Sequence, residues 1–267
     1  MALPTRPEML APAILKAMAY RLADVCTGGK GVLRRINGES IRFPVRWSRY
    51  YPSDYDPPKC AFLRAHCRTG DVVLDIGAHI GLFSIFMAKL VGPTGRVFSF
   101  EPTPFTRQVL RQTVALNGCE EIVVIRPEAV AGSCGNGILY DTGVDLSNAN
   151  TLVEGLGRSP KSVPVQTTTI DEFVAAHGLR VSCIKVDVEG AELDVLAGAA
   201  QTVLNVGPAM EIELHPATLK RSGRTLVDAW NLFERYRLAL YHEGQQVDRD
   251  WLCRQEEAVD VQLLPKA

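Results

Sequence analysis

Between residues 71 and 214 the chain alternates short apolar runs with stretches of helical period. Apolar runs of four to six residues bounded by turn signals read as strands buried on both faces, and the segments between them as crossover helices. The pattern places strands at Val72–Ile76, Arg96–Phe100, 122–125, Val181–Val186 and 210–214. Helices are expected over 82–90, after Thr103, after Thr169 and over 191–204. Pro104 suits the first helical position behind Thr103, Asn117-Gly118 stops that helix, and Thr169 with Glu172 has the spacing of a capping box.

Strand and helix in strict succession predict an α/β fold, a Rossmann-like, doubly wound and mostly parallel sheet. A helix over 226–236 follows, then apolar runs at 238–241 and 259–263 with no helix between them. These predict an antiparallel pair that completes a seven-stranded sheet. Upstream, Leu10, Ile14, Met18, Leu22 and Val25 recur at three- and four-residue steps, so 8–25 is expected as an amphipathic helix packed on the domain. Residues 41–47 contain Pro44 and are expected as one edge strand, and 47–58, with Tyr50, Tyr51, Tyr55 and three prolines, as a shaped loop. Residues 1–50 therefore read as an N-terminal helical extension and 51–267 as the main domain. The stretch 132–162 is polar and glycine-rich, and no element is assigned to it.

The 267 residues are 46% hydrophobic, enough for a sizeable core. A formal charge of −1 lacks the basic balance of a nucleic-acid binder, so no nucleic-acid partner is expected. The seven cysteines are scattered, with no C-x-x-C pair, which predicts free thiols in a reducing cytoplasm. No apolar run approaches the ~18 residues of a membrane span, and Lys16, Arg21 and Asp24 interrupt the N-terminal apolar stretch, unlike an export signal.

Candidate chemistry begins where Val72–Ile76 ends, in Asp75-Ile76-Gly77-Ala78-His79-Ile80-Gly81. Gly77 and Gly81 allow a tight turn and a close backbone approach as a helix begins. Dinucleotide sites place G-x-G-x-x-G here, because a helix N-terminus must meet a pyrophosphate. This loop lacks the middle glycine and carries an acid before it. A carboxylate at Asp75 would repel a diphosphate but hold a cationic ammonium, directly or through water, so the expected ligand is the methionine tail of S-adenosylmethionine. Glu101, at the tip of the next strand about twenty residues on, is placed to accept from ribose hydroxyls. Glu128, Ala129 and Val130 fall where a nucleobase would lie. His79 either meets the cofactor carboxylate or fills space.

A second cluster, Asp187-Val188-Glu189-Gly190-Ala191-Glu192, closes the strand Val181–Val186. Asp187 at the tip is expected in the site, near the methionine end or the acceptor. Glu192, in a first helical turn, reads as a dipole partner. Lys185, one turn of the pleat away, is expected to pair with a carboxylate outside the site. Glu211, Glu213 and His215 share a side of their strand, the last two approaching Asp187.

These stretches resemble the FkbM family of methyltransferases: Gly70-Asp71 through Gly81, Phe100-Glu101-Pro102-Thr103-Pro104 through Gly118, Thr169-Ile170-Asp171 through Glu192, and Glu211 to His215. The resemblance spans residues 50–216. It implies a seven-stranded methyltransferase fold, S-adenosylmethionine as cofactor bound by the loop residues and Glu101-Pro102, and methylation of a hydroxyl on a sugar, polyketide or other small molecule. This chain departs from the family pattern at His79 and at Thr103, where asparagine is usual.

The expected reaction is an in-line displacement by an acceptor oxygen, with Asp187 and His215 as proton acceptors or orienters and Glu189 and Glu213 as ligands of the acceptor hydroxyl. Asp187 and Glu213 could hold Mg²⁺, but no third ligand stands at a recognisable spacing, so no metal is assigned. The stretch 141–162, with Asn148 and Asn150, and the tyrosines at 50–55 are expected to wall the acceptor pocket. The rival readings are a nicotinamide-dependent oxidoreductase on the same fold, and a cofactor-binding module without catalysis. Whether two copies of the chain associate is left open.

Overall fold

A computed structural model of the chain describes residue 20, residues 25–141, residue 152 and residues 161–266. The helix expected over 8–25 lies almost wholly outside these, as do Asn148 and Asn150. The first described elements are an antiparallel hairpin, β1 (Val32–Ile36) and β2 (Glu39–Phe43), where one edge strand was expected. Asn37 and Gly38 join them with φ of 47° and 87°, the pair of positive angles that a tight two-residue hairpin turn needs. β2 stops at Phe43 because Pro44 has no N–H to offer a ladder. Asn117 clasps this edge, accepting from the Arg42 N–H at 2.9 Å and donating to the Arg42 carbonyl at 2.8 Å.

The tyrosine segment leads into an unexpected helix, α1 (Pro57–His66). Its two leading prolines occupy the first helical turn, where a missing N–H costs nothing, and the Asp56 side chain caps the Lys59 N–H. Then follow β3 (Val72–Ile76), α2 (Leu82–Val91), β4 (Arg96–Phe100), α3 (Pro104–Leu116) and β5 (Val123–Arg126), as the pattern predicts. The polar, glycine-rich stretch, to which the pattern assigns no element, contributes to a small second sheet. There β6 (Ala129–Val130) pairs with β8 (Lys161–Thr168), which pairs antiparallel with β7 (Gly135–Asp141).

Next come α4 (Ile170–His177), capped by Thr169, and β9 (Val181–Val186). The helix expected over 191–204 is two helices, α5 (Glu192–Ala197) and α6 (Ala200–Val206). They part at Gly198, where a Cβ would stand 2.5 Å from the Ala131 carbonyl oxygen. The chain closes with β10 (Ala209–Leu214), α7 (Pro216–Arg221), α8 (Leu226–Arg235), β11 (Leu238–His242), the two-residue β12 (Gln245–Gln246), α9 (Arg249–Cys253) and β13 (Val259–Pro265).

The main sheet has the order β12-β11-β13-β10-β9-β3-β4-β5. The five strands from β10 to β5 are parallel, and β13 and β11 form the expected antiparallel closure. β12 adds an eighth strand to the seven expected. Order reverses between β3 and β9, and such a switch point opens a crevice at the carboxyl ends of the strands.

Alternation along each strand divides the core in two. Leu74, Ile76, Ile184, Val186, Met210 and Ile212 face α4, α5, α6 and α8. Val73, Val97, Cys183 and Ala209 face α1, α2, α3 and the hairpin. Each fully buried aliphatic side chain contributes about 1.5–3 kcal/mol. The second face also carries a buried polar row. In register across β4, β3, β9, β10 and β13 lie Ser99, Asp75, Lys185, Glu211 and Gln262, none more than 3% exposed.

Candidate active site

A cleft of about 630 Å³ opens at the switch point. Gly77, His79, Glu101, Pro102, Glu128, Ala129, Asp187 and Glu189 from the expected residues line it, together with the apolar Phe100, Val130, Leu139 and Leu152. Ala78, Gly81 and Asp75 shape the loop from behind. The Ala78 N–H donates to the Phe100 carbonyl at 3.0 Å, and Gly81 heads α2 at φ +93° with Leu110 against its Cα. Gly77 has φ +79°, and a Cβ there would lie 1.7 Å from the Asp187 carbonyl oxygen. The two loops meet backbone to backbone, and only glycine permits it.

Asp75 is not at the mouth of the cleft. It is fully buried on the α2 face, accepting from Ser84 Oγ at 2.6 Å, with Lys185 Nζ 3.5 Å from its other oxygen. Strand alternation decides this: Asp75 is level with Ser99 and Lys185, and its side chain turns with theirs beneath the loop. Of the two contacts expected between Asp75 and a ligand ammonium, this burial disfavours the direct one. Lys185 pairs with carboxylates as expected but, though expected outside the site, lies directly beneath it, with Nζ also 3.5 Å from Asp187 and donating to the Gly77 carbonyl at 2.9 Å.

Glu101 stands at the tip of β4 as expected. Oε2 accepts the His79 N–H at 3.0 Å and Oε1 the Thr103 N–H at 2.8 Å. Burial pushes its carboxyl up to about 7, against the pull of those N–H groups and of Arg107. His79 has φ 50°, a left-handed conformation that bulky residues rarely adopt, and its Nδ1 meets Tyr51 Oη at 3.0 Å. Glu128 is gripped by Arg126 through contacts of 2.5 and 3.2 Å. It therefore presents a neutralised pair, not a free charge.

Beyond Asp187 the carboxylates gather around one imidazole. His215 Nδ1 donates to Glu192 Oε1 at 2.6 Å, and Nε2 lies 3.3 Å from Glu189 and 3.7 Å from Glu213. Burial pulls the ring down, but the bond to Glu192 and the charges of Glu189, Glu192 and Glu213 outweigh it and hold His215 at about 9. The ring is thus held as an imidazolium at neutral pH, which of the two roles expected of it favours the orienter over the proton acceptor. Burial pushes Glu189 up to about 7, helped by Asp187, Glu213 and Glu192 and opposed by His215. Burial also raises Asp187, yet Lys185, Lys59, His215 and His79 bring it below the usual carboxylate range.

The sequence profile described as the methyltransferase FkbM domain fits residues 75–246, more than half the chain. The chain belongs to the FkbM methyltransferase family. It is 29% identical to methyltransferase sdnD of Sordaria araneosa, over 50% of this chain and 62% of that one. It is 27% identical to hexuronic acid methyltransferase AglP of Haloferax volcanii, over 76% and 83%. It is 26% identical to 31-O-demethyl-FK506 methyltransferase FkbM of Streptomyces tacrolimicus, over 49% and 60%. The chain thus spans about three-fifths of the length of the first of these relatives.

Two residues of this FkbM-family site escaped the sequence reading. Glu192 is no solvated dipole partner. It is fully buried, accepts the Gly190 N–H at 2.6 Å, and orients His215. Lys59, 1% exposed on α1, reaches Asp56 and Asp260 at 2.9 Å, Glu213 at 3.3 Å and Glu211 at 3.8 Å. Helix α1 itself went unseen, so nothing in the sequence pointed to Lys59. The third metal-capable ligand also emerges, since Asp187, Glu213 and His215 each place a donor atom within 4.8 Å of the others. Lys185 and Lys59 already neutralise the two carboxylates of that group.

Proposed function

We propose that this protein transfers the methyl group of S-adenosylmethionine to a hydroxyl oxygen of a small molecule, sugar or glycoconjugate. The observation that carries the reading is the cleft's make-up: apolar walls between Glu101 on one side and the Asp187 and Glu189 carboxylates on the other, with Glu213 gathered behind them around His215. Glu101 accepts the His79 and Thr103 N–H groups and the Thr103 side chain, and the remaining acceptor capacity of its carboxylate suits a ribose hydroxyl. Phe100, Ala129, Val130, Leu139 and Leu152 suit a flat nucleobase. Around Asp187 and Lys59 eight carboxyl groups face three cations, which favours a ligand carrying sulfonium and ammonium charge over a diphosphate. That balance, in place of Asp75 alone, argues against the nicotinamide alternative. Two relatives support oxygen and carbohydrate acceptors by name, the 31-O-demethyl-FK506 and the hexuronic acid methyltransferases.

When bound, S-adenosylmethionine supplies an electrophilic methyl and a neutral thioether leaving group, so the chain's own work is to align and to deprotonate. Alignment can account for ~7–11 kcal/mol of barrier reduction. Glu189, held at about 7, is the group best matched to accept a hydroxyl proton near neutral pH, for about 10²–10⁴-fold. Asp187 orients the hydroxyl as an ionised acceptor, and the His215 imidazolium holds Glu189 and Glu213 in place.

Calorimetry against S-adenosylhomocysteine and NAD tests the ligand. S-adenosylhomocysteine binding that Glu101→Gln weakens about 10-fold or more supports the reading, since a hydrogen bond to a charged group is worth ~1.5–3 kcal/mol. NAD binding in its place would overturn it. Mass spectrometry of fractionated metabolites incubated with labelled methyl donor then identifies the acceptor.

A further inference from the structure

The charge of −1 conceals a strong segregation. Between residues 30 and 49 stand Lys30, Arg34, Arg35, Arg42, Arg46 and Arg49 against the single carboxylate Glu39, a net charge of +5. Glu39 is itself engaged from outside the segment, by Arg64 at 3.3 Å and Lys89 at 3.8 Å. Among the described residues no ion pair engages Arg34 or Arg49. The hairpin thus carries uncompensated positive charge, whereas the reaction centre carries a surplus of carboxylates.

Both arginines line one open surface groove, formed with Val32, Ser48, Tyr50, Tyr51 and Pro52. No acidic residue lines it. Arg34 is half-buried, and its Nη1 donates to the Ser48 carbonyl at 2.6 Å, which fixes the guanidinium and leaves its remaining N–H groups for a ligand. Groove and cleft are separated by two tyrosines. The Tyr50 ring lies 5.0 Å from that of the cleft residue His79, and Tyr51 Oη meets His79 Nδ1 at 3.0 Å. On its cleft side Tyr50 stands in the field of Glu189 and Asp187. Arginines thus stand on one side of this tyrosine pair and carboxylates on the other.

We infer that the Arg34–Arg49 groove is an anion subsite that binds a phosphate ester of the methyl acceptor, whose hydroxyl-bearing end passes Tyr50 to reach Glu189 and Asp187. Planar guanidinium forks match phosphate oxygens bidentately. The carboxylates around His215 would repel the same phosphate, so the two ends of the acceptor can enter in only one direction. This inference rests on the acceptor reading above for its orientation, but the subsite itself is testable without it.

Amide chemical shifts of Arg34, Arg49 and Tyr50 are followed during titration with glucose 1-phosphate, inorganic phosphate, glucose and phosphatidylglycerol vesicles, with and without S-adenosylhomocysteine. Saturable shifts with both phosphate probes and none with glucose are expected. The doubly substituted Arg34→Gln, Arg49→Gln protein should bind the phosphate probes about 10-fold or more weakly, the loss expected for charge-assisted contacts. An Arg35→Gln control should bind as the parent does. Equal affinity in the double variant, equal shifts at Arg35 and Arg42, or binding to vesicles alone would overturn the proposal. S-adenosylhomocysteine shifts at Glu101 in the same samples report on the cofactor cleft separately, so failure of one reading is not mistaken for failure of the other.

Discussion

Replacing Glu192 by glutamine probes the centre of the site without changing its volume. The interval from the ordinary imidazole value of 6.5 to about 9 corresponds to roughly 3 kcal/mol in favour of the protonated His215 ring. A hydrogen bond to a charged group is worth ~1.5–3 kcal/mol, so the 2.6 Å contact with Glu192 accounts for half or more of that. Glu192→Gln should therefore lower the His215 pKa by about 1–2 units, while the amide oxygen still accepts the Gly190 N–H. Because folding raises this pKa, the stabilisation is complete below about 6.5 and fades as pH climbs through about 9. Ring-nitrogen NMR follows the titration, and thermal denaturation at pH 6 and 9.5 follows the stability. The native protein should lose up to ~3 kcal/mol across that window and the variant clearly less. A native His215 titrating near 6.5, or a variant indistinguishable from the parent, would refute the argument.

Three further outcomes follow from the geometry. Gly77→Ala places a methyl 1.7 Å from the Asp187 carbonyl at a positive φ; it should cost more than about 2 kcal/mol in denaturant unfolding and abolish S-adenosylhomocysteine binding. Lys59→Met strips four carboxyl groups of their shared cation and should cost about 3–5 kcal/mol at pH 7. The deficit should shrink at pH 5, because burial already raises Glu211, Glu213 and Asp56 toward protonation; an unchanged deficit would count against the cage. Since Lys59, Lys185 and the imidazolium neutralise Glu213 and Asp187, methyl transfer to the identified acceptor should survive EDTA, and a loss restored by Mn²⁺ would show the opposite.

The parallel sheet was legible because each strand buries both faces, and that burial writes itself as an unbroken apolar run such as Val72–Ile76 or Val181–Val186. Glu101 and Asp187 were legible for a related reason, as acids that terminate such runs. The N-terminal hairpin was missed although Asn37-Gly38 is a strong hairpin signal, since Arg34 and Arg35 broke the apolar pattern of β1. β7 and β8 were missed because their glycines and polar residues face a small sheet with little core of its own. Asp75 was misplaced by reading its position along the strand without its parity, which sets it beside Ser99 and Lys185. Glu192 and Lys59 depend on contacts across 23 residues or more, and no local spacing encodes those.

The file of polar side chains from Ser99 to Gln262 gives the sheet an electrical floor one layer below the cleft. Asp75 and Lys185 hand their influence up to Asp187, and Glu211 does so through Lys59 to Glu213. The charges facing the cleft are therefore coupled to residues buried beneath it. A change of charge at Asp260, on the neighbouring antiparallel strand and outside the cleft, would shift the proton affinity of Glu213 through Lys59.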